Sequence, residues 1–333
     1  MTDLLRRRLL LALVALPAAA LPAFAAPAKT TPPRAAPRPK PAPKVAAAPA
    51  PARRKAAAPR KATPRAAPPA PPPLLNAKVQ ERLGELRSAG LLGLGETSAW
   101  VVHDLTWNRT LVAINASTGM QAASMIKPFV AAAYFIQSAR GTPALRYTVE
   151  RRARLEDMIV HSDNDATNGF IRLCGGPAGV HATLRRFAPD VFRQTAVLEY
   201  IPGGGRTYRN RASALDYARF MQALWARRFP NATELLRVMN IPNRDRLYEG
   251  ADGVARTTEV YDKTGTTARL CGDMGILVAR GRSGGEYPYA FAGIIQRSSL
   301  APDYGHFMRT RGDCIRAVSS LVYQELKTIH GLV

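Results

Sequence analysis

The sequence predicts an α+β fold with an antiparallel sheet built from both ends of the folded region and a helical insert between them. Two strand-like segments lie near the start of the region, at 98–104 and 110–115, and three more lie near its end. The chain between them has mainly helical patterning. Strands at both ends with helices between favour a sheet with helices packed beside it.

The individual elements follow from local patterns along residues 76–333. The segment Trp107-Asn108-Arg109 has the composition of a turn and joins the first two strands. The predicted elements in chain order are a helix at 77–88, the strands 98–104 and 110–115, a helix opening near Ser124, helical segments to about Ala226, strands at 259–265, 274–280 and 289–297, and a final amphipathic helix at 312–329.

Residues 1–25 have the pattern of a secretory signal peptide. Three arginines precede a run of about a dozen apolar residues and an Ala-x-Ala cleavage signal at Ala23-Phe24-Ala25. The apolar run is too short to span a bilayer comfortably. We therefore expect an exported protein of the periplasm or cell envelope, by either the Sec or the twin-arginine route.

Residues 26–75 form a basic, Pro/Ala-rich segment that we expect to be a disordered linker. It carries 11 Lys and Arg and no acid between 26 and 73, about half of the formal net charge of +23. A solvated spacer and an electrostatic tether to the cell wall or another anionic envelope surface are both open interpretations. Nucleic acid is disfavoured as a partner because the chain is exported and no recognition motif accompanies the charge.

Three cysteines in an exported chain leave two alternatives. A disulfide between Cys271 and Cys314 is the best pair that the predicted strand order offers, and three unpaired thiols are the other alternative. The five histidines are scattered without the spacing of metal ligands, so we expect no metal and no other cofactor.

The polar residues Ser124 and Lys127 open an otherwise apolar helix, Met120 to Phe135. Residues three apart stack on one face of a helix, so the lysine amine can reach the serine oxygen. A serine becomes a strong nucleophile when a neighbouring base takes its proton, and a desolvated lysine can serve as that base. The pair predicts a serine nucleophile with a lysine base.

Two further motifs follow in a fixed order. Ser162-Asp163-Asn164 lies in a helical region, and Lys263-Thr264-Gly265 lies at the end of a predicted strand. Each is common by chance, but the ordered set S-x-x-K, S-D-N and K-T-G is typical of class A β-lactamases and penicillin-binding proteins. The stretches around these motifs resemble the class A β-lactamase catalytic domain, and the similarity spans nearly all of residues 76–333.

This resemblance implies a β-lactamase-like sandwich and a role for each motif residue. Ser124 attacks a carbonyl carbon, Lys127 accepts its proton, and Ser162 relays a proton to the leaving nitrogen. Lys263 is expected to be the cation that keeps Lys127 partly neutral. The resemblance also implies that Asn168 fastens the adjacent active-site loop.

The resemblance places five residues in substrate binding. Asn164 holds the side-chain amide, Lys263 and Thr264 bind the carboxylate together with the adjoining Gly265, and the N–H groups of Ser124 and Thr266 form the oxyanion hole.

Two departures from the family pattern concern the cleft and a general base. Ser124 and Ser162 are only 38 positions apart, so one rim of the cleft is expected to be short. In the loop that ends at Ile201-Pro202, Glu199 is present but the usual L-N pair is not, and the loop is about four residues short. Glu199 is therefore either the base that activates the deacylating water or a loop carboxylate paired with an arginine such as Arg193 or Arg206.

One rival serine motif is Gly281-Arg282-Ser283-Gly284-Gly285, which matches a nucleophile elbow. That motif requires a strand before it and a helix after it, whereas here a strand follows. We interpret it as a glycine-rich hairpin turn.

The sequence therefore predicts a monomeric exported serine hydrolase that opens β-lactam rings through a Ser124 acyl-enzyme. One alternative is a penicillin-binding D,D-peptidase-like enzyme acting on D-Ala-D-Ala stem peptides, which releases β-lactams slowly. Another is a non-catalytic cell-wall-binding module that keeps the fold as a peptide pocket.

Overall fold

The structure, a computed structural model, describes residues 75–333. The predicted signal peptide and nearly all of the predicted linker lie outside the described residues. The elements in chain order are α1 (Asn76–Ser88), β1 (Glu96–Asp104), β2 (Arg109–Ile114), β3 (Met120–Gln121), α2 (Lys127–Ser138), α3 (Val149–Ile159), α4 (Asn164–Leu173), α5 (Gly176–Phe187), β4 (Arg211–Ala212), α6 (Ala214–Trp225), α7 (Ala232–Met239), β5 (Glu259–Thr267), β6 (Leu270–Arg280), β7 (Glu286–Arg297) and α8 (Tyr304–His330).

The main sheet has five antiparallel strands in the order β2-β1-β7-β6-β5. Strands β1 and β2 come from the start of the described region and the other three from its end, so the sheet is assembled from both ends as predicted. β5 lies at one edge, so alternate backbone N–H and C=O groups of this strand have no partner in the sheet.

Each face of the sheet is covered by helices, because successive side chains of a strand point to opposite faces. On β1, Ala99 and Val101 belong to the core shared with the helical insert, whereas Trp100 and Val102 belong to the other core. Helices α1 and α8 contact each other and cover that second face, and α6 packs against the first. The predicted α+β sandwich is confirmed.

The structure corrects several predicted boundaries. α8 begins at Tyr304, eight residues before the expected start, because Asp303 caps it by accepting a hydrogen bond from the N–H of His306 at 2.8 Å. Strand β6 begins at Leu270 because β5 and β6 form a long hairpin. Helix α7 and the two-residue strands β3 and β4 were not predicted.

Two interpretations of small features are settled by the structure. Cys174, Cys271 and Cys314 are buried free thiols, so the disulfide alternative does not hold. The segment at Gly281–Gly285 is the turn between β6 and β7, closed by a hydrogen bond from Gly281 N to Gly285 O at 2.9 Å. A strand follows Ser283, so the nucleophile-elbow geometry is absent there.

Among residues 75–333, no helix has the length and apolar character that crossing a membrane requires. Within the same range, no group of three or more His, Cys, Asp or Glu side chains is arranged to hold a metal ion.

Candidate active site

Ser124 lies in a single 3₁₀ turn, Ala123–Ile126, that leads directly into α2. Every residue of α2 from Lys127 to Ile136 is buried, and Phe129 packs against Phe192, Tyr217 and Phe220. The helix is therefore fixed by its apolar surroundings. Ser124 itself is half-buried and faces a cleft, at the N-terminal end where the helix dipole favours negative charge.

Two glycines allow the K-T-G strand and its neighbour to approach this turn closely. A Cβ at Gly265 would lie 2.8 Å from Cγ and 3.0 Å from the backbone N of Met125, and a Cβ at Gly272 would lie 2.6 Å from Met125 Cε. Real Cβ atoms do not tolerate contacts this short. The absence of side chains at 265 and 272 therefore sets the distance between Ser124 and β5.

Lys127 is completely buried, and its amine donates three hydrogen bonds. Its Nζ donates hydrogen bonds to the Ser162 carbonyl, to Ser162 Oγ at 3.1 Å and to Asn164 Oδ1 at 2.9 Å. Burial and, to a smaller extent, the nearby charge of Lys263 lower the pKa of Lys127 to about 7. The charge of Asp163 opposes this change but is the smallest of the three effects. A substantial fraction of the amine is therefore neutral at pH 7 and able to accept a proton.

The loop between α3 and α4 presents Ser162 and Asn164 to this amine. Ser162 has a φ of +56°, a left-handed conformation that is uncommon for residues other than glycine. Asp163 caps α4 by accepting a hydrogen bond from the N–H of Ala166 at 2.5 Å, so Asn164 becomes the first residue of the helix. Since Asn164 Oδ1 accepts from Lys127, its amide N–H groups are left to face a substrate.

Lys263 lies in a buried electrostatic network. Burial lowers its pKa, while Asp262 and Asp273 oppose that change. Burial and the charge of Asp245 raise the pKa of Asp262 to about 7, and burial with the charge of Asp262 raises the pKa of Asp273 well above its usual range. The two carboxyl groups therefore share fewer than two negative charges near pH 7, and these charges raise the pKa of Lys263 without a direct ion pair to it among residues 75–333.

The loop after α5 is fastened by two buried asparagines. Asn168 exchanges two hydrogen bonds with the backbone of Ile201, both at 2.8 Å, as the resemblance implied. Asn210 Oδ1 accepts from the N–H groups of Leu198 and Glu199 at 2.7 and 3.1 Å. This second clamp was not predicted from the sequence.

The side chain of Glu199 accepts hydrogen bonds from residues of the same loop. Its Oε1 accepts hydrogen bonds from Thr207 Oγ1 and from the N–H groups of Tyr208 and Arg209, at 2.7, 2.9 and 2.9 Å. Burial raises its pKa, but these hydrogen bonds outweigh burial and lower it. Within residues 75–333 the carboxylate has no hydrogen bond to Ser124 or Lys127 and no ion pair with an arginine. Of the two interpretations, the geometry favours the loop carboxylate, with backbone groups as its partners.

Four of the predicted site residues, Ser124, Ser162, Asn164 and Thr266, line one cleft of about 540 Å³. Its walls include Ser124, Ser162 and Asn164, residues 204–208 and 266–268, and the pair Leu300 and Tyr304. Lys127 and Lys263 are buried behind this surface. Thr264 and Gly265 belong to the same edge strand as Thr266. The structure thus gathers the three motifs around one cleft and leaves Glu199 outside it.

Comparison with known proteins places the chain in a family. A model of the beta-lactamase enzyme family matches residues 144–326, more than half of the chain. The chain belongs to this family. The match includes the Ser162 and Lys263 motifs and begins after Ser124 and Lys127. No curated protein matches the chain.

Solved structures of beta-lactamase-family proteins have the same fold. The chain is similar to PBP-A, with 22% identity, a TM-score of 0.60 and coverage of 77% of this chain and 99% of that chain. It is similar to a beta lactamase from Xanthomonas campestris pv. campestris, with 17% identity, a TM-score of 0.61 and coverage of 76% and 100%. It is also similar to an ancestral class A beta-lactamase, with 21% identity, a TM-score of 0.59 and coverage of 74% of this chain and 99% of that chain.

Sequence reasoning missed three contributors to this beta-lactamase-family site. Asp273 faces the K-T-G strand because it pairs with Thr264 in the β5–β6 register, a placement that a correct hairpin register would have found. Asn210 lies in a loop and Tyr304 is the first residue of α8, and neither carries a periodic signal.

Gly265→Ala is expected to lower the acylation rate by about tenfold to a hundredfold, because misplacement of a reacting group by about 1 Å costs about a hundredfold. The added methyl requires Met125 or β5 to shift, and a shift of β5 moves Lys263 and Thr266. Stopped-flow acylation by a chromogenic β-lactam measures the rate. Gly84→Ala is the matched control, since nothing lies within 4 Å of a Cβ at that helical position. An unchanged rate in Gly265→Ala would contradict the close-approach argument.

Acylation is expected to rise with pH through about 7, as the Lys127 amine loses its proton. Removing the positive charge of Lys263, as in Lys263→Met, should raise the pKa of Lys127 and move the profile to higher pH. Lys127→Met should remove the pH dependence and about a thousandfold of the rate. A flat acylation profile between pH 5.5 and 9 would show that another group is the base.

Proposed function

We propose that this protein is an exported serine hydrolase that opens β-lactam rings through an acyl-enzyme on Ser124. The observation that carries the proposal is the buried amine of Lys127, which has a pKa of about 7, lies three residues after the half-buried Ser124 and donates its hydrogen bonds to Ser162 and Asn164. The ordered motifs around one cleft and membership of the beta-lactamase enzyme family support it.

Acylation uses groups that the cleft already holds. Neutral Lys127 takes the proton of Ser124, whose oxygen bonds to the lactam carbonyl carbon while the ring C–N bond breaks. The proton reaches the ring nitrogen through Ser162, which is hydrogen-bonded to Lys127 Nζ. N–H groups of Ser124 and of the edge residue Thr266 stabilise the oxyanion. Lys263 and Thr264 bind the ring carboxylate, and the N–H groups of Asn164 hold the side-chain amide.

Deacylation lacks an equally well-placed base. Hydrolysis of the ester needs a carboxylate within hydrogen-bond reach of a water above it. Glu199 instead accepts three hydrogen bonds from its own loop. We therefore propose fast acylation followed by slow hydrolysis. A mutant of the similar protein PBP-A is known as an acyl-enzyme complex with penicillin G.

The second candidate function is that of a penicillin-binding D,D-peptidase-like enzyme acting on D-Ala-D-Ala stem peptides. The position of Glu199 favours this candidate, because such an enzyme needs the acylation groups and not a base suited to β-lactam release. The third alternative, a wall-binding module without catalysis, requires that Ser124 stay unmodified.

Intact-protein mass spectrometry after addition of benzylpenicillin tests these functions. We expect an adduct of the mass of the drug within seconds, lasting minutes, and slow appearance of hydrolysed drug. An adduct that never yields hydrolysed drug would favour the penicillin-binding candidate. Absence of any adduct would overturn both enzymatic functions, the β-lactam hydrolase and the D,D-peptidase-like enzyme. Ser124→Ala should abolish the adduct, and the matched control Ser283→Ala should keep it.

Glu199→Gln is expected to change the lifetime of the adduct by less than about twofold, because the carboxylate faces Thr207–Arg209 and not the cleft. The same time course measures this lifetime. A lifetime lengthened tenfold or more would show that Glu199 reaches the deacylating water, and would restore it as the general base.

The basic segment 26–75 fits a role outside catalysis, and we propose export to the cell envelope with this segment as spacer or tether. Deleting residues 26–73 should leave turnover of a soluble β-lactam unchanged. An electrostatic tether further predicts that the deletion weakens co-sedimentation with isolated cell wall, and that about 0.5 M salt has the same effect. Wall binding that survives this salt would exclude the electrostatic tether.

A further inference from the structure

The cleft carries positive charge that its own acidic groups do not balance. Arg206 lines the cleft, Lys263 lies behind it, and no Asp or Glu of residues 75–333 belongs to its lining. A β-lactam brings one ring carboxylate, which the proposed function assigns to Lys263. Arg206 would remain without a counterion.

Four acids of the elements around the cleft have other partners. Glu199 accepts from Thr207–Arg209, and Asp163 caps α4. Asp262 accepts a hydrogen bond from Asn243, and Asp273 accepts one from the N–H of Arg246. Within residues 75–333, Arg206 makes no ion pair and no hydrogen bond through its side chain, and it is exposed. It is therefore available to an anionic group of a ligand.

A second guanidinium lies beside the same wall. Arg269, in the β5–β6 turn, places its Cζ 5.4 Å from the ring centroid of Tyr208, and Tyr208 lines the cleft. A guanidinium over an aromatic face is held in place by the quadrupole of the ring. Arg269 thus adds to the positive potential at the end of the cleft where Arg206 lies.

Two exposed apolar side chains share this cleft. Leu300 is 54% exposed and Tyr304 49% exposed, although both line the cavity. The segment between β7 and α8, which carries Leu300 and leads into Tyr304, is tied to the β5–β6 turn by a hydrogen bond from Ala301 N to Ala268 O at 2.8 Å. Large apolar side chains left open in a cleft gain free energy when an apolar ligand group covers them.

We propose that the cleft selects β-lactams whose acyl side chain carries both an aromatic ring, packed on Leu300 and Tyr304, and a second carboxylate, paired with Arg206. This inference rests on the proposed function and names the substrate class of the same site. Arg206 is then a specificity-determining residue that takes no part in proton transfer.

Three penicillins with one skeleton test the charge preference. Benzylpenicillin, carbenicillin and ampicillin differ only at the side-chain α carbon, which bears hydrogen, a carboxylate or an amine. Second-order acylation rate constants, measured for each by the mass shift, should fall in the order carbenicillin, benzylpenicillin, ampicillin. The carbenicillin advantage should shrink as salt is raised, because the Arg206 guanidinium is exposed.

The ratio of the carbenicillin rate constant to the benzylpenicillin rate constant is compared between variants. The intrinsic reactivity of each drug is the same in every variant, so a change in this ratio reports the effect of the arginine. Arg206→Gln should lower this ratio about twofold to fivefold, as expected for an exposed ion pair. Arg282→Gln is the matched control, with the same change of charge. It lies in the β6–β7 turn, about 30 Å from the cleft along an 11-residue strand. Its ratio should equal that of the wild type.

Leu300→Ala tests the apolar half of the proposal. It should slow acylation by benzylpenicillin about threefold to tenfold and leave 6-aminopenicillanic acid, which lacks the acyl group, unchanged. Equal slowing of both compounds would overturn the aromatic contact.

An unchanged ratio in Arg206→Gln, or an equal fall in Arg282→Gln, would overturn the proposed pairing. Failure of the proposed function gives a different result, since none of the three penicillins would then label Ser124.

Discussion

The burial of two neighbouring ammonium groups is the constraint on which the site depends. Lys127 and Lys263 come from α2 and β5, elements separated by more than a hundred residues, and both are almost completely buried. Two like charges in a region of low dielectric disfavour each other strongly, so one amine loses its proton more easily. The carboxyl groups of Asp262 and Asp273 raise the pKa of Lys263 against the effect of burial, whereas the three hydrogen-bond acceptors of Lys127 are neutral. This asymmetry favours loss of the proton from Lys127.

The surrounding fold holds this unfavourable arrangement in place. The apolar packing of α2 fixes Lys127, the edge position of β5 brings Lys263 beside it, and Gly265 lets the strand approach. Ser162 adopts a left-handed backbone conformation that turns its carbonyl and hydroxyl toward the amine. Such strained conformations persist where the surrounding structure over-determines them, and they concentrate at functional sites.

Much of this arrangement was open to prediction from the sequence, and the reasons for success and failure are physical. The i, i+3 spacing of Ser124 and Lys127 is a local signal, and a long strand such as β7 has a continuous apolar run typical of a strand buried on both faces. Strands β3 and β4 have two residues each, which is too short for any periodicity. The partners of Glu199 depend on how residues 207–209 fold back, and the side chain of Asp273 matters only once the hairpin register is known. Features set by long-range contacts left no local signal.

The Glu199 carboxylate can either accept hydrogen bonds from its own loop or face the cleft, and it cannot do both. A charged acceptor of three hydrogen bonds stabilises a short loop by about 1.5–3 kcal/mol for each bond, and the Asn210 clamp adds to this. A longer loop could place its own backbone groups against each other and leave a carboxylate free to face the cleft. With about four residues fewer than the family pattern, this loop uses Glu199 as an internal acceptor. Turning it toward the ester would leave the N–H group of the half-buried Tyr208 without its acceptor, at a cost of about 1–3 kcal/mol, whereas the exposed N–H group of Arg209 could turn to water. The same hydrogen bonds that order the wall carrying Arg206 and Tyr208 therefore withdraw the acid from catalysis. The hydrogen bonds of Glu199 thus order the cleft wall at residues 204–208, and the carboxylate that makes them does not face the cleft.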